Sequence, residues 1–181
     1  VLHKPNSMGL RRTVRLYVAR TYREHEFELL KWIEPAPNPL RREPRHHDLL
    51  KSVRYAGYTQ NTKLALTGDI ARKPISAGIW NLIQLPHGGE LIVPTYVRTE
   101  PRVLFGNIPA DRLVSEDRAL RFKMDFGGEH KIALRAADLT GRAAYLRHTG
   151  STWRLVIRNF SVNPSGEYVD VPKDAPNDLG Y

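Results

Sequence analysis

RALRFKMDF, residues 118–126, decides between helix and strand for the longer part of the chain. Leu120, Phe122, Met124 and Phe126 fall at every second position, and Arg121 falls between them. Side chains alternate across a strand with a period of two, so this stretch predicts a strand with one apolar face. Working outward, Gly127-Gly128 predicts a hairpin turn, and EHKIALRA (129–136) predicts the returning strand, with Ile132 and Leu134 aligned. GRAAYLRH, TWRLVIRNF and EYVDV follow at short intervals, separated by Thr-Gly-Ser and Asn-Pro-Ser-Gly turns.

The same β signal runs upstream. VRYAGY (53–58) leads through Thr59-Gln60-Asn61 into TKLALTG. ISAGIWNLIQLP (75–86) is almost wholly apolar, which predicts a central strand covered on both faces with Trp80 in the core. His87-Gly88-Gly89-Glu90 reads as a turn, and ELIVPTYV (90–97) returns from it. Near the start, LRRTVRLYVAR (10–20) alternates and predicts a half-buried strand with Val14, Leu16 and Val18 on one side. TYREHEFELLKWI (21–33) predicts a short helix, because Thr21 and Glu24 have capping-box spacing and Phe27, Leu30 and Ile33 recur at helical intervals. Residues 34–48 carry four prolines and no periodicity, which predicts a loop. Many closely spaced strands with one N-terminal helix predict a mainly β fold, an antiparallel sandwich or barrel.

The chain has 181 residues, enough for one domain with a real core. The expected organisation is a single domain: a basic segment over 1–52, a β core over 53–172 and a loosely held tail over 173–181. The net charge is +9, from 28 Lys and Arg against 19 Asp and Glu. Residues 1–54 hold 12 basic and 6 acidic residues, and residues 55–181 hold 16 and 13, so the excess gathers at the front. Such a surface is either simply solvated or attracts a polyanion. The absence of cysteine excludes disulfides, thiolate metal sites and cysteine nucleophiles. No apolar run approaches the roughly 18 residues that a membrane helix needs.

The short motifs carry little chemistry. His46-His47-Asp48 places its histidines side by side, where neighbouring side chains diverge, and this reads as exposed loop and not as a metal site. His87-Gly88-Gly89 starts like an oxyanion loop but continues with Glu90, and no G-x-S-x-G elbow occurs. Neither nucleotide-cradling glycine pattern is present, and no cofactor is indicated. Arg121, Arg135, Arg147, Arg154 and Arg158 sit at outward strand positions and could bind the phosphates of a nucleic acid, given exposed aromatics between them. Glu100, Asp111, Glu116, Asp117, Glu167 and Asp170 lie near turns, unpaired in sequence. Asp170, at a strand end beside Pro172, either fixes a turn or serves a site. Trp32, Trp80, Trp153 and eight tyrosines are the aromatic surfaces on which a sugar ring would stack.

The order of GYTQNTKLALTG, ISAGIWNLIQLPHGGELIVP, KIALRAADLTGRAAYLR, WRLVIRNF and GEYVDVP resembles bacterial proteins of the galactose mutarotase-like superfamily, over about residues 53–172. The resemblance implies an antiparallel β-supersandwich with a carbohydrate-facing cleft. It also implies isomerase-like chemistry if the cleft is active, on a general acid His and a late general base Glu. An Asn-Arg pair that holds the sugar in the epimerases corresponds here to Asn61-Thr62, so Asn61 carries over and the Arg position holds Thr. No equivalent of the catalytic His is found, and the Glu is expected in strands after GEYVDVP, where this chain stops, as in a shortened version of the fold. The expected ligand-binding residues are Asn61, Lys63, Arg158, Tyr168 and Asp170, with no metal and no assigned catalytic residue. The expected partner is a carbohydrate. The alternative is a basic β-sheet module that binds nucleic acid or an acidic polymer.

Overall fold

A computed structural model describes residues 6–18, 23–67 and 77–166. The strand expected at EYVDV and the tail 173–181 lie outside the described residues, as do Tyr168 and Asp170. Of the described residues, 48% are in strands and 10% are helical, so the protein is mainly β, with every paired strand antiparallel. The chain divides into two compact units, Val1–Ile75 and Ser76–Tyr181.

The first unit is a three-stranded sheet, in the order β1 (Met8–Val18), β2 (Arg23–Pro35), β3 (Tyr58–Leu66). The helix expected over 21–33 is instead the strand β2, a correction that the charges explain. Glu24, Glu26 and Glu28 alternate with His25, Phe27 and Leu29, and the register sets Glu26 opposite Arg15 and Glu28 opposite Thr13, two residues along from Arg11 and on its face. Arg15 Nε lies 3.5 Å from Glu26 Oε2, and Arg11 Nε donates to Glu28 Oε1 at 2.8 Å. A helix would scatter these glutamates around its surface, whereas the strand gathers them on one face against the arginines of β1. Phe27, on the other face between Val14 and Leu66, is the one buried apolar side chain among this unit's described residues. The proline-rich connection contains 3-10 turns at Pro39–Arg42 and Pro44–His46, followed by the single short helix α1 (His47–Lys51). The one α-helix among the described residues therefore begins where a loop was expected. Pro39 and Pro44 open the two turns, where a missing N–H costs nothing.

The second unit is built on a five-stranded sheet of order β10-β9-β4-β7-β6: β4 (Glu90–Pro94), β6 (Leu113–Ser115), β7 (Ala119–Lys123), β9 (Arg142–Thr149) and β10 (Thr152–Asn159). Two shorter strands, β5 (Arg102–Phe105) and β8 (Lys131–Ala133), pair with each other. The alternation read in RALRFKMDF holds: Leu120 and Phe122 are buried and face Val93 and Leu91 across β4, with buried Tyr145 beyond. Val93, Leu120, Phe122 and Tyr145 form the centre of the core, each removing apolar surface from water.

Two expectations are corrected here. Gly127-Gly128 does not close a hairpin, because β8 pairs with β5 and not with β7. Gly128 has a φ of 97° and turns the chain away, and the rings of Phe122, Phe126 and His130 fill the bend, Phe126 and His130 stacked at 4.8 Å. The apolar run 77–86 forms no strand, and Trp80 is 83% exposed instead of buried in the core. Continuous apolarity without alternation cannot by itself specify a ladder partner, and among the described residues none is found. Two described hydrogen bonds reach the segment: Tyr145 Oη donates to Pro86 O, and Arg158 Nη1 donates to Asn81 O at 3.3 Å. His87–Glu90 bends the chain into β4 but closes no hairpin, because no strand precedes it among the described residues of 77–86; Gly88 has a φ of 90° and donates its N–H to Met124 O.

Candidate ligand-binding surface

Strand register decides which side chains share a face. Across β2 and β3, Trp32 stands directly opposite Asn61, and Leu30 opposite Lys63. Across β1 and β2, Trp32 stands opposite Gly9, and Leu30 opposite Arg11. Directly opposed residues project to the same side, and residues two apart in a strand do so too. One face of the first sheet therefore carries Trp32 in its central strand, Asn61 and Lys63 on one flank, and Gly9 and Arg11 on the other. Gly9 has no side chain, so nothing from that position covers the indole. Trp32 is half-buried, so part of it is open to solvent.

The same logic explains Thr62. It projects to the opposite face, where its hydroxyl is buried without a hydrogen-bond partner among the described residues. The residue beside Asn61 in sequence cannot assist it, and Lys63, two positions on, supplies the cation on the Asn61 face. Lys63 is exposed. On the other flank, Arg11 is anchored by Glu28, with both Nε and Nη2 on the same Oε1. The surface thus offers an aromatic ring, an amide with two donors and an acceptor, a free-ended ammonium, and a guanidinium held in place by a carboxylate.

The other nominated residues lie elsewhere. Arg158 belongs to the second unit, where it bonds to Asn81 O and passes over the Phe160 ring at 5.9 Å, a tethering role. Among the arginines read as outward, Arg121 makes a two-point contact with Glu90, at 2.9 and 2.7 Å, and lies 3.9 Å from Glu116. The hydrogen bond to Glu90 is the main reason that the Arg121 pKa is raised further above its ordinary value. Arg147 and Arg154 face each other across β9 and β10 and are not ion-paired among the described residues. Trp153 is exposed and stacks on His148 at 4.5 Å, on the opposite face of that hairpin. His47 Nε2 lies 3.4 Å from Arg41 O, and Asp48 pairs with Lys51 at 2.6 Å. Of the acids near turns, Asp111 bonds to Arg112 at 3.0 Å.

Sequence reading named Trp32 only among the aromatic surfaces for a sugar and not beside Asn61 and Lys63, because it sat inside a segment read as a helix. The available signal was the Glu alternation that surrounds it. Among the described residues no helix is long and apolar enough to cross a membrane. No family model matches the chain, and no curated protein or solved structure matches it.

Proposed function

We propose that the Trp32 face of the first sheet binds a carbohydrate. The observation that supports this most directly is the direct cross-strand pairing of Trp32 with Asn61, with Gly9 on the other side of the ring. An indole face takes the apolar C–H surface of a sugar ring, and polar groups at its edge set the orientation. Asn61 reads a hydroxyl in either direction, since its amide both donates and accepts. Lys63 and the Glu28-anchored Arg11 donate to further hydroxyls or to a carboxylate on an acidic sugar. This reading agrees with the resemblance of the block order to mutarotase-like proteins. It is a binding role: on this face Glu28 is already engaged by Arg11, and Glu26 lies 3.5 Å from Arg15.

A glycan array on the full chain, followed by titration calorimetry with the best neutral and uronic-acid sugars, tests the proposal. Trp32→Ala abolishes detectable binding, and Asn61→Ala weakens it about tenfold, the loss expected when one hydrogen bond worth about 1.4 kcal/mol is removed. Sugar binding that survives Trp32→Ala unchanged would place the ligand elsewhere. Polarimetry on the same sugars separates binding from epimerisation, and a rate equal to the uncatalysed one is expected.

A further inference from the structure

We propose that the outer edge of β10 receives an extended peptide as an added strand, one in which acidic and apolar residues alternate. β10 ends the five-stranded sheet, and among the described residues no strand pairs with its outer side. An edge strand presents a row of unpaired N–H and C=O groups, and natural sheets usually keep such edges short, bulged or covered. This one is eight residues long, in unbroken register with β9, with Trp153, Leu155, Val156 and Ile157 all exposed.

The charge around it names the occupant. No Asp or Glu occurs from Leu139 to Gly166, while Arg142, Arg147, Arg154 and Arg158 do. Arg142 Nε bonds to Asn159 Oδ1 at 2.8 Å and Arg158 bonds to Asn81 O. Arg147 and Arg154 stand opposite each other, an arrangement that opposes sheet stability unless an anion sits nearby. They share one face of the hairpin with Val156, while Trp153, Leu155 and Ile157 share the other. A strand laid on β10 projects alternate side chains to these two faces: acids beside Arg154, with Arg147 one strand further in on the same face, and apolar groups beside Leu155 and Ile157. A single-stranded nucleic acid fits less well, because its bases would need Trp153 on one face while its phosphates needed the arginines on the other. A second copy of the chain fits less well too, because it would bring a second acid-free arginine hairpin to the same edge.

The test is fluorescence anisotropy on the full chain with a labelled peptide of alternating Glu and Val that matches β10 in length. The comparison probes are the Lys-Val peptide, the Glu-Val peptide N-methylated at alternate residues, and an oligo-dT strand. The Glu-Val peptide is expected to bind about tenfold or more tighter than the Lys-Val peptide and to weaken with salt. N-methylation, which removes ladder hydrogen bonds and leaves charge intact, is expected to abolish binding to the unaltered protein. Arg154→Glu is expected to reverse the preference between the two peptides. The proposal is overturned by equal binding of the methylated peptide, by oligo-dT binding that depends on Arg154 while the peptide does not bind, or by light scattering that shows a dimer lost on Arg154→Glu with no peptide binding. Absence of binding by any probe at low salt overturns it as well.

Discussion

The two sheets of this protein handle charge in opposite ways. In the three-stranded sheet, Arg11 and Arg15 meet Glu28 and Glu26 across a strand boundary, and Phe27 alone of the described side chains is buried. In the five-stranded sheet, Val93, Leu120, Phe122 and Tyr145 are buried together, while Arg147 and Arg154 confront each other with no acid between them. The first sheet is aligned by charge and weakly cored. The second is aligned by its core and tolerates a charge conflict at its edge. Exposed ion pairs contribute only about 0–1 kcal/mol each, whereas one buried aromatic contributes several times that. Charge can therefore select a register that it does little to stabilise.

This contrast can be broken at its strongest point first. Phe122→Ala empties the centre of the five-stranded core, and a loss of about 3–5 kcal/mol is expected in denaturant unfolding monitored by tryptophan fluorescence. A loss under about 1 kcal/mol would mean that this core is not what holds the second sheet. Phe27→Ala comes next, at about 3 kcal/mol, because it removes the first sheet's only described buried apolar side chain. Hydrogen exchange should report it as lost protection over Arg23–Pro35, with Glu90–Pro94 and Ala119–Lys123 unchanged. Tyr145→Phe keeps the ring and deletes the donor to Pro86 O, for about 1 kcal/mol. The expected signature is faster exchange confined to the region of residues 86–89. The smallest effect belongs to the Arg11–Glu28 pair. A double-mutant cycle with Arg11→Gln and Glu28→Gln should give a coupling of about 0.5 kcal/mol that fades in high salt. A coupling of several kcal/mol would reverse the account of the first sheet, making charge its main support.

What the sequence disclosed follows the same division. The alternation of Leu120 and Phe122 is local, and it predicted the right face of the right strand. The hairpin of β9 and β10 was equally legible, since Thr149-Gly150-Ser151 separates two alternating runs and Gly150 takes a φ of 59°. Where the deciding interaction lies far away in the chain, local patterns misled. Phe27, Leu30 and Ile33 match a helical period, but the pairing of β2 with β1 and β3 overrides it, and that pairing is visible only when Arg11 and Arg15 are set against Glu28 and Glu26. EHKIALRA lies next to β7 in sequence, yet its strand residues pair with Arg102–Phe105. As to the candidate surface, Asn61, Lys63 and Trp32 were each named in the sequence, but that they share one face was not legible. Which face a tryptophan shares depends on the register of three strands, and no single segment contains that information.

The segment 77–86 is tethered in a way that affects how its sequence can change. Both described tethers, from Tyr145 and from Arg158, end on main-chain oxygens, at Pro86 and Asn81. A carbonyl oxygen is present whatever the side chain, so these attachments are indifferent to the residues that supply them. Exposed Ile79, Trp80, Leu82 and Ile83 are thus free to drift among related sequences without loosening either tether. The constraint is carried by the donors on the sheet: a single substitution at Tyr145 or Arg158 would release what many substitutions in the segment itself would leave in place.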